Sequence, residues 1–173
     1  MTSTELDPAE QLADRVGLDR AYADPNKVYM TGDSMYVAGT SSFGDVLDDL
    51  GLPFGLTRGT QRYIDAERVL QSNPKIRRVV GHSLGGAMSL ELQRARPELK
   101  TRTYGAPVVS MTKGERYKSA GDPVSFLDFG AKTTLPTSLN PHSYQGIGER
   151  PHTSGPGVGA GSYDLNGITH MYR

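Results

Sequence analysis

The chain has 173 residues, with 19 basic and 19 acidic side chains and no cysteine. That length suits one domain around one hydrophobic core. The balanced charge gives no long-range attraction for nucleic acid or an anionic membrane, and the missing thiols exclude a disulfide framework, a thiolate zinc site and a cysteine nucleophile.

Met1 to Arg20 is polar and charged, with no signal-peptide pattern. No apolar run approaches the roughly 18 residues of a membrane span. The expectation is a soluble protein, cytoplasmic by default, with export by another route left open. Three regions are expected: a polar N-terminal extension over 1–25, a core over 26–147, and a Gly/Pro-rich segment over 148–173 that packs on the core or trails from it.

In chain order, Asp7 can cap a short polar helix from Pro8 to Leu18, with Gly17 as its stop. Val28–Met30 and Met35–Ala38 are β-prone, and Gly32-Asp33 between them reads as a hairpin turn. Phe43–Leu50 reads as helical, between Ser42 and Gly51. The stretch Thr60–Ser72 is the stronger helix, because Tyr63, Ala66 and Leu70 share one face and Asn73-Pro74 ends it. A strand is expected over Ile76–Val80. Leu84–Arg96 follows as a helix, with Leu84, Ala87, Met88, Leu92 and Ala95 in one stripe and Pro97 as its stop. Leu99–Tyr104 is the next strand.

This alternation predicts an α/β fold: a mostly parallel sheet with right-handed crossovers, flanked by helices. Beyond Gly105 the periodicity weakens and prolines and glycines collect. Residues 148–161 read as a loop.

Gly81-His82-Ser83-Leu84-Gly85 is a Gly-x-Ser-x-Gly pentapeptide between a predicted strand and a predicted helix. A nucleophilic serine on such a turn must project its Oγ, and only small neighbours let strand and helix pass so closely. The helix N-terminus aims amide N–H groups at the place where an oxyanion develops, with Leu84 N–H as the first donor. The same pattern also occurs as a plain strand-to-helix turn or a phosphate-binding loop.

With these residues in view, the chain resembles the class 3 lipases, the fungal-triacylglycerol-lipase-like group of α/β-hydrolases, from about Val28 to Ile147. Gly81–Ala87 is similar to that group's elbow, and Tyr104-Gly105-Ala106-Pro107-Val108-Val109 to its next strand end. Gly121-Asp122-Pro123-Val124 is similar to its acid segment and His142-Ser143-Tyr144 to its late histidine segment, all in the family's order. Ala38-Gly39-Thr40, before Asp45–Leu50, stands where the family has its Arg-Gly-Thr oxyanion strand end. A literal Arg58-Gly59-Thr60 comes later, where the family has a His-x-Gly-Phe segment.

The resemblance implies a compact, trimmed α/β-hydrolase fold and a triad of Ser83, Asp122 and His142, with Thr40 and Leu84 at the oxyanion. A serine hydroxyl needs a positioned base, and a carboxylate must hold the base's tautomer. In this fold the order is Ser, acid, His. Asp122 lies in a turn after the strand that follows the elbow, with Asp128 as its rival, read as a solvated loop carboxylate. His142 is a loop histidine after the acid. His170 is its rival, His152 lies in the Gly/Pro-rich segment, and His82 points away from the serine in a structural role.

The function implied is cleavage of lipid carboxylic esters, acylglycerol or phospholipid, through an acyl-enzyme, with no metal or organic cofactor. Leu52, Pro53, Phe54 and Leu56 could form an apolar rim for the acyl chain and touch a lipid surface transiently, or pack on the core. A soluble short-chain carboxylesterase and an inactive lipid-binding or structural protein are the alternatives. Head group, acyl length and oligomeric state are not set by these residues.

Overall fold

The computed structural model describes residues 7–40, 60–107, 113–122, 124–125, 128, 130–134 and 142–144. Helix α1 spans Pro8–Ala23. Strands β1 (Val28–Thr31) and β2 (Ser34–Val37) follow, then α2 (Gln61–Ser72), β3 (Arg78–His82), α3 (Leu84–Ala95) and β4 (Lys100–Tyr104). Strands β5 (Glu115–Ser119) and β6 (Lys132–Thr134) come last. Among the described residues no helix is long and apolar enough to cross a membrane.

The six strands form one mixed sheet, ordered as in the chain from β1 to β6. The β1–β2 hairpin turns at Gly32-Asp33 and pairs antiparallel, with Val28 opposite Val37. Every later pairing is parallel: β2 with β3 (Val37 opposite Gly81), β3 with β4 (His82 opposite Tyr104), then β4 with β5 and β5 with β6. Parallel neighbours need crossovers, and α2 and α3 occupy two of them.

Alternating side chains divide the core between the two faces of the sheet. Met35, Val37 and Val79 pack with Tyr63, Ala66 and Leu70 of α2 and with Met88 and Leu92 of α3. Tyr36, Ala38, Val80 and Tyr104 face the other way and pack with Leu18 and Ala21 of α1. Helices therefore cover both faces.

Helix α1 begins as expected, with Asp7 accepting the Ala9 N–H at 2.9 Å and Pro8 in the first turn. It does not stop at Gly17. That glycine faces the sheet, and a β-carbon there would lie 2.2 Å from the Tyr36 ring, so the residue permits close packing and the helix continues. Residues 1–25, expected as an extension, thus include a helix packed against β1, β2 and β3.

Asp14 on α1 is fully buried. Its carboxylate accepts Arg78 Nη2 at 2.6 and 2.9 Å, Arg102 Nη1 at 3.1 Å and the Tyr104 hydroxyl at 2.8 Å. This network ties α1 to β3 and β4.

Strands β5 and β6 escaped the sequence pattern because they are short and polar. In Glu-Arg-Tyr-Lys-Ser, Tyr117 and Ser119 are buried while their neighbours are at least partly exposed. The expected helix at Phe43–Leu50, the rim Leu52–Leu56, the Arg58-Gly59 pair and residues 148–173 lie outside the described residues.

Candidate active site

Ser83 sits between β3 and α3, with φ 55° and ψ −131°. This is a strained conformation for a residue with a side chain, and such strain persists only where the surroundings enforce it. The glycines around it show the enforcement. A β-carbon on Gly81 would lie 2.4 Å from the Gly85 carbonyl oxygen, and one on Gly85 would lie 2.2 Å from the Val37 carbonyl oxygen. The Ser83 N–H donates to the Tyr104 carbonyl at 3.0 Å, which locks the turn to β4. The Ser83 Oγ is buried and has no hydrogen-bond partner among the described residues.

Leu84 is the first residue of α3, so its amide N–H has no intrahelical acceptor. The end of β2 passes on the other side. A β-carbon on Gly39 would lie 2.7 Å from the Ser83 Cβ, which places Thr40 one residue along from this close approach to Ser83.

Asp122 follows β5 and is buried, with a relative exposure of 3%. Its Oδ1 accepts the Val124 N–H at 2.9 Å and its Oδ2 accepts the Ser125 hydroxyl at 2.5 Å. His142 Nδ1 stands 3.0 Å from Oδ1. Burial alone would raise the Asp122 pKa, but the His142 and Ser125 hydrogen bonds, the imidazole's charge and the Val124 N–H outweigh it, so the carboxyl lies below its ordinary range. The acceptor role of Asp122 puts the neutral imidazole's proton on Nδ1. Its Nε2, which is buried, is then the basic nitrogen.

Gly105, at φ 56°, lies flush against this pair. A β-carbon there would sit 3.0 Å from Asp122 Oδ2 and 3.3 Å from His142 Nδ1. Asp128 goes elsewhere. It is buried, not solvated as expected, and it pairs with Arg116 Nε at 3.4 Å while accepting the Gly130 N–H at 3.1 Å. Burial raises its pKa despite Arg116. The two carboxylates after β5 are therefore pushed in opposite directions, and Asp122 is the one beside a histidine.

His82 is buried at the end of β3, with its ring centroid 4.8 Å from that of His142. Its Nε2 donates to the His142 carbonyl at 2.8 Å, and its Nδ1 lies 2.6 Å from the Tyr22 hydroxyl. The rivals His152 and His170 lie outside the described residues.

Sequence reasoning missed two contributors. Ser125 has a weak local signal, a hydroxyl three residues after an aspartate in a turn. Tyr22 has none, because its role depends on contacts with residues far along the chain.

No protein-family profile matches this chain, and no curated protein matches it by sequence. Among solved structures it has a likeness to the Lip2 lipase from Yarrowia lipolytica, at 19% identity and a TM-score of 0.42. The match covers 67% of this chain and 61% of that lipase, so this chain spans about three fifths of the lipase's length.

Proposed function

We propose that this chain is a serine hydrolase of the α/β-hydrolase type, cleaving carboxylic esters of lipids through an acyl-enzyme. The observation that carries the reading is a serine held in a strained strand-to-helix turn while a buried Asp122–His142 pair, 3.0 Å apart, lies beyond the two strands that follow in the sheet. A serine, a base and an orienting carboxylate are the groups that acyl transfer by serine uses, and Ser, acid, His is their chain order in the α/β-hydrolase fold.

In this reading His142 Nε2 takes the Ser83 proton as Oγ attacks the ester carbonyl. The Leu84 and Thr40 N–H groups hold the oxyanion, which needs donors already in place as charge develops. The imidazolium, stabilised by Asp122, then gives its proton to the leaving alkoxide and the acyl-enzyme remains. Water repeats the sequence, with His142 as base, and releases the carboxylic acid. Every proton is accounted for within the triad, and no metal or organic cofactor enters.

The lipid part of the proposal rests on the resemblance of the elbow, acid and histidine segments, and on the apolar stretch Leu52–Leu56. Acylglycerols and phospholipids are the substrate classes, with transient contact at a lipid surface. The core of 26–147 is proposed to carry the chemistry.

The test is covalent labelling of the full chain with a fluorophosphonate probe. Wild type labels, Ser83→Ala does not, and His142→Ala lowers kcat on an ester by about three orders of magnitude or more. No labelling of the wild type, or equal labelling of Ser83→Ala, overturns the reading. Hydrolysis of p-nitrophenyl esters of increasing chain length separates a lipid enzyme from a short-chain esterase.

A further inference from the structure

His82 takes no part in the proton transfers above, yet both its ring nitrogens are engaged in the interior. A carbonyl oxygen only accepts, so the contact with the His142 carbonyl puts the His82 proton on Nε2. Burial, reinforced by the nearby His142 imidazole, lowers the His82 pKa to about 3, so the ring is neutral and Nδ1 is an acceptor. Its donor is the Tyr22 hydroxyl at 2.6 Å. Burial raises the pKa of that phenol to about 12, which keeps it protonated. The phenol oxygen in turn accepts the Gly39 N–H at 3.2 Å. The chain of donors is therefore Gly39 N–H to Tyr22, Tyr22 O–H to His82, and His82 N–H to the His142 carbonyl.

We propose that Tyr22 and His82 are positioning residues for the reaction, a buried relay that fixes the Gly39–Thr40 wall and the His142 segment relative to Ser83. The proposal rests on the serine-hydrolase reading and adds to it. Tyr22 comes from α1 and His142 from a late segment, and both hydrogen-bond to the residue that precedes the nucleophile, while Gly39 at the end of β2 joins through the Tyr22 hydroxyl. His142 is gripped twice, at its ring by Asp122 and at its carbonyl by His82. Tyr144 closes the arrangement. It stacks on Tyr22 with centroids 5.6 Å apart and planes within 4°, and meets His82 edge-on at 4.8 Å. A misplacement of about 1 Å at such groups can cost about a hundredfold in rate.

The test uses the full chain with Tyr22→Phe, which keeps the ring and removes the hydroxyl. The readouts are kcat and KM on a p-nitrophenyl ester, and the proton NMR signal of the His142 Nδ1–H, identified by its loss in His142→Gln. Tyr36→Phe is the comparator. Its hydroxyl lies near Arg78, Ser34 and the Asp14 carboxylate, away from the site. We expect Tyr22→Phe to lower kcat about 10- to 100-fold with KM within about twofold, and to shift or broaden the Nδ1–H signal. Tyr36→Phe leaves kcat and the signal as in wild type. His82→Gln, whose amide can still reach the His142 carbonyl, keeps more kcat than His82→Leu.

Wild-type kcat and an unchanged signal in Tyr22→Phe, or the same losses in Tyr36→Phe, overturn the proposal. If the wild type is inert to the fluorophosphonate, the hydrolase reading fails, and the NMR comparison still decides whether Tyr22 and His82 hold His142.

Discussion

Gly105 and Asp122 are so close that a single added carbon would bring them into contact: a β-carbon on Gly105 would lie 3.0 Å from Asp122 Oδ2. The same carbon would lie 3.3 Å from His142 Nδ1, and the backbone there has φ 56°, where a side chain is disfavoured. Gly105→Ala therefore pushes on the acid–histidine pair from below. We expect kcat to fall about tenfold with little change in KM, because orientation suffers more than binding. The left-handed backbone adds a stability loss of about 1–2 kcal/mol. Steady-state kinetics and a melting curve on the variant check both, and wild-type kcat would show that the close fit is not what orients His142.

His82 makes stability depend on pH in a defined direction. Its folded pKa is about 3 against an ordinary 6.5, so between those values the unfolded chain binds a proton that the folded chain refuses. Stability from this group is complete above the ordinary value and declines as pH falls toward the folded one, by up to about 1.4 kcal/mol per pH unit. Urea unfolding of wild type and His82→Gln at about pH 7 and about pH 5 measures this, with a shallower dependence expected in the variant. Equal slopes would mean that His82 is protonated in the folded chain.

Asp14 carries the attachment of α1. It has no exposed surface and compensates Arg78 and Arg102, while Tyr104 donates to it as well. Arg102 keeps Glu10 and Glu115, but Arg78 loses its carboxylate and the Tyr104 hydroxyl its acceptor, so Asp14→Ala is expected to cost about 3 kcal/mol in denaturant unfolding. The Arg68–Asp65 pair on α2 has an Arg68 side chain 68% exposed. Asp65→Ala should therefore change stability by less than about 1 kcal/mol.

Gly17→Ala tests whether packing overrides helix propensity. Alanine in a helix interior is worth about 1 kcal/mol over glycine. Here the new methyl would lie 2.2 Å from the buried Tyr36 ring, and overpacking of this kind costs about 1–3 kcal/mol. A lower melting temperature is expected. A stabilised variant would show that α1 can lift from β2 without penalty.

Much of the central layer was legible because its signals are local. The face of α2 carrying Tyr63, Ala66 and Leu70 is the buried face. The Thr60 hydroxyl accepts the Tyr63 N–H at 3.2 Å, so the helix starts where its cap stands. The strands flanking α3 fall within two residues of their expected bounds. The end of α1 was misread, because a glycine reads as a stop until a tyrosine ring from another strand is placed against it. Strands β5 and β6 were hidden because pairing with a neighbour, rather than apolar alternation, makes them strands.

The sequence by itself determined the elbow. Gly81, Gly85 and Gly86 around Ser83 encode a short-range steric requirement, and spacing along the chain is enough to state it. Only the tertiary structure decided which carboxylate after β5 meets an imidazole and which meets Arg116, since Asp122 and Asp128 differ little as isolated residues. It alone brought Tyr22 to His82, 60 residues apart, and His82 to the His142 carbonyl, another 60 on. The reason is physical. Glycine sterics and side-chain periodicity act over a few residues, whereas a buried polar atom takes whatever partner the packing of distant elements sets beside it.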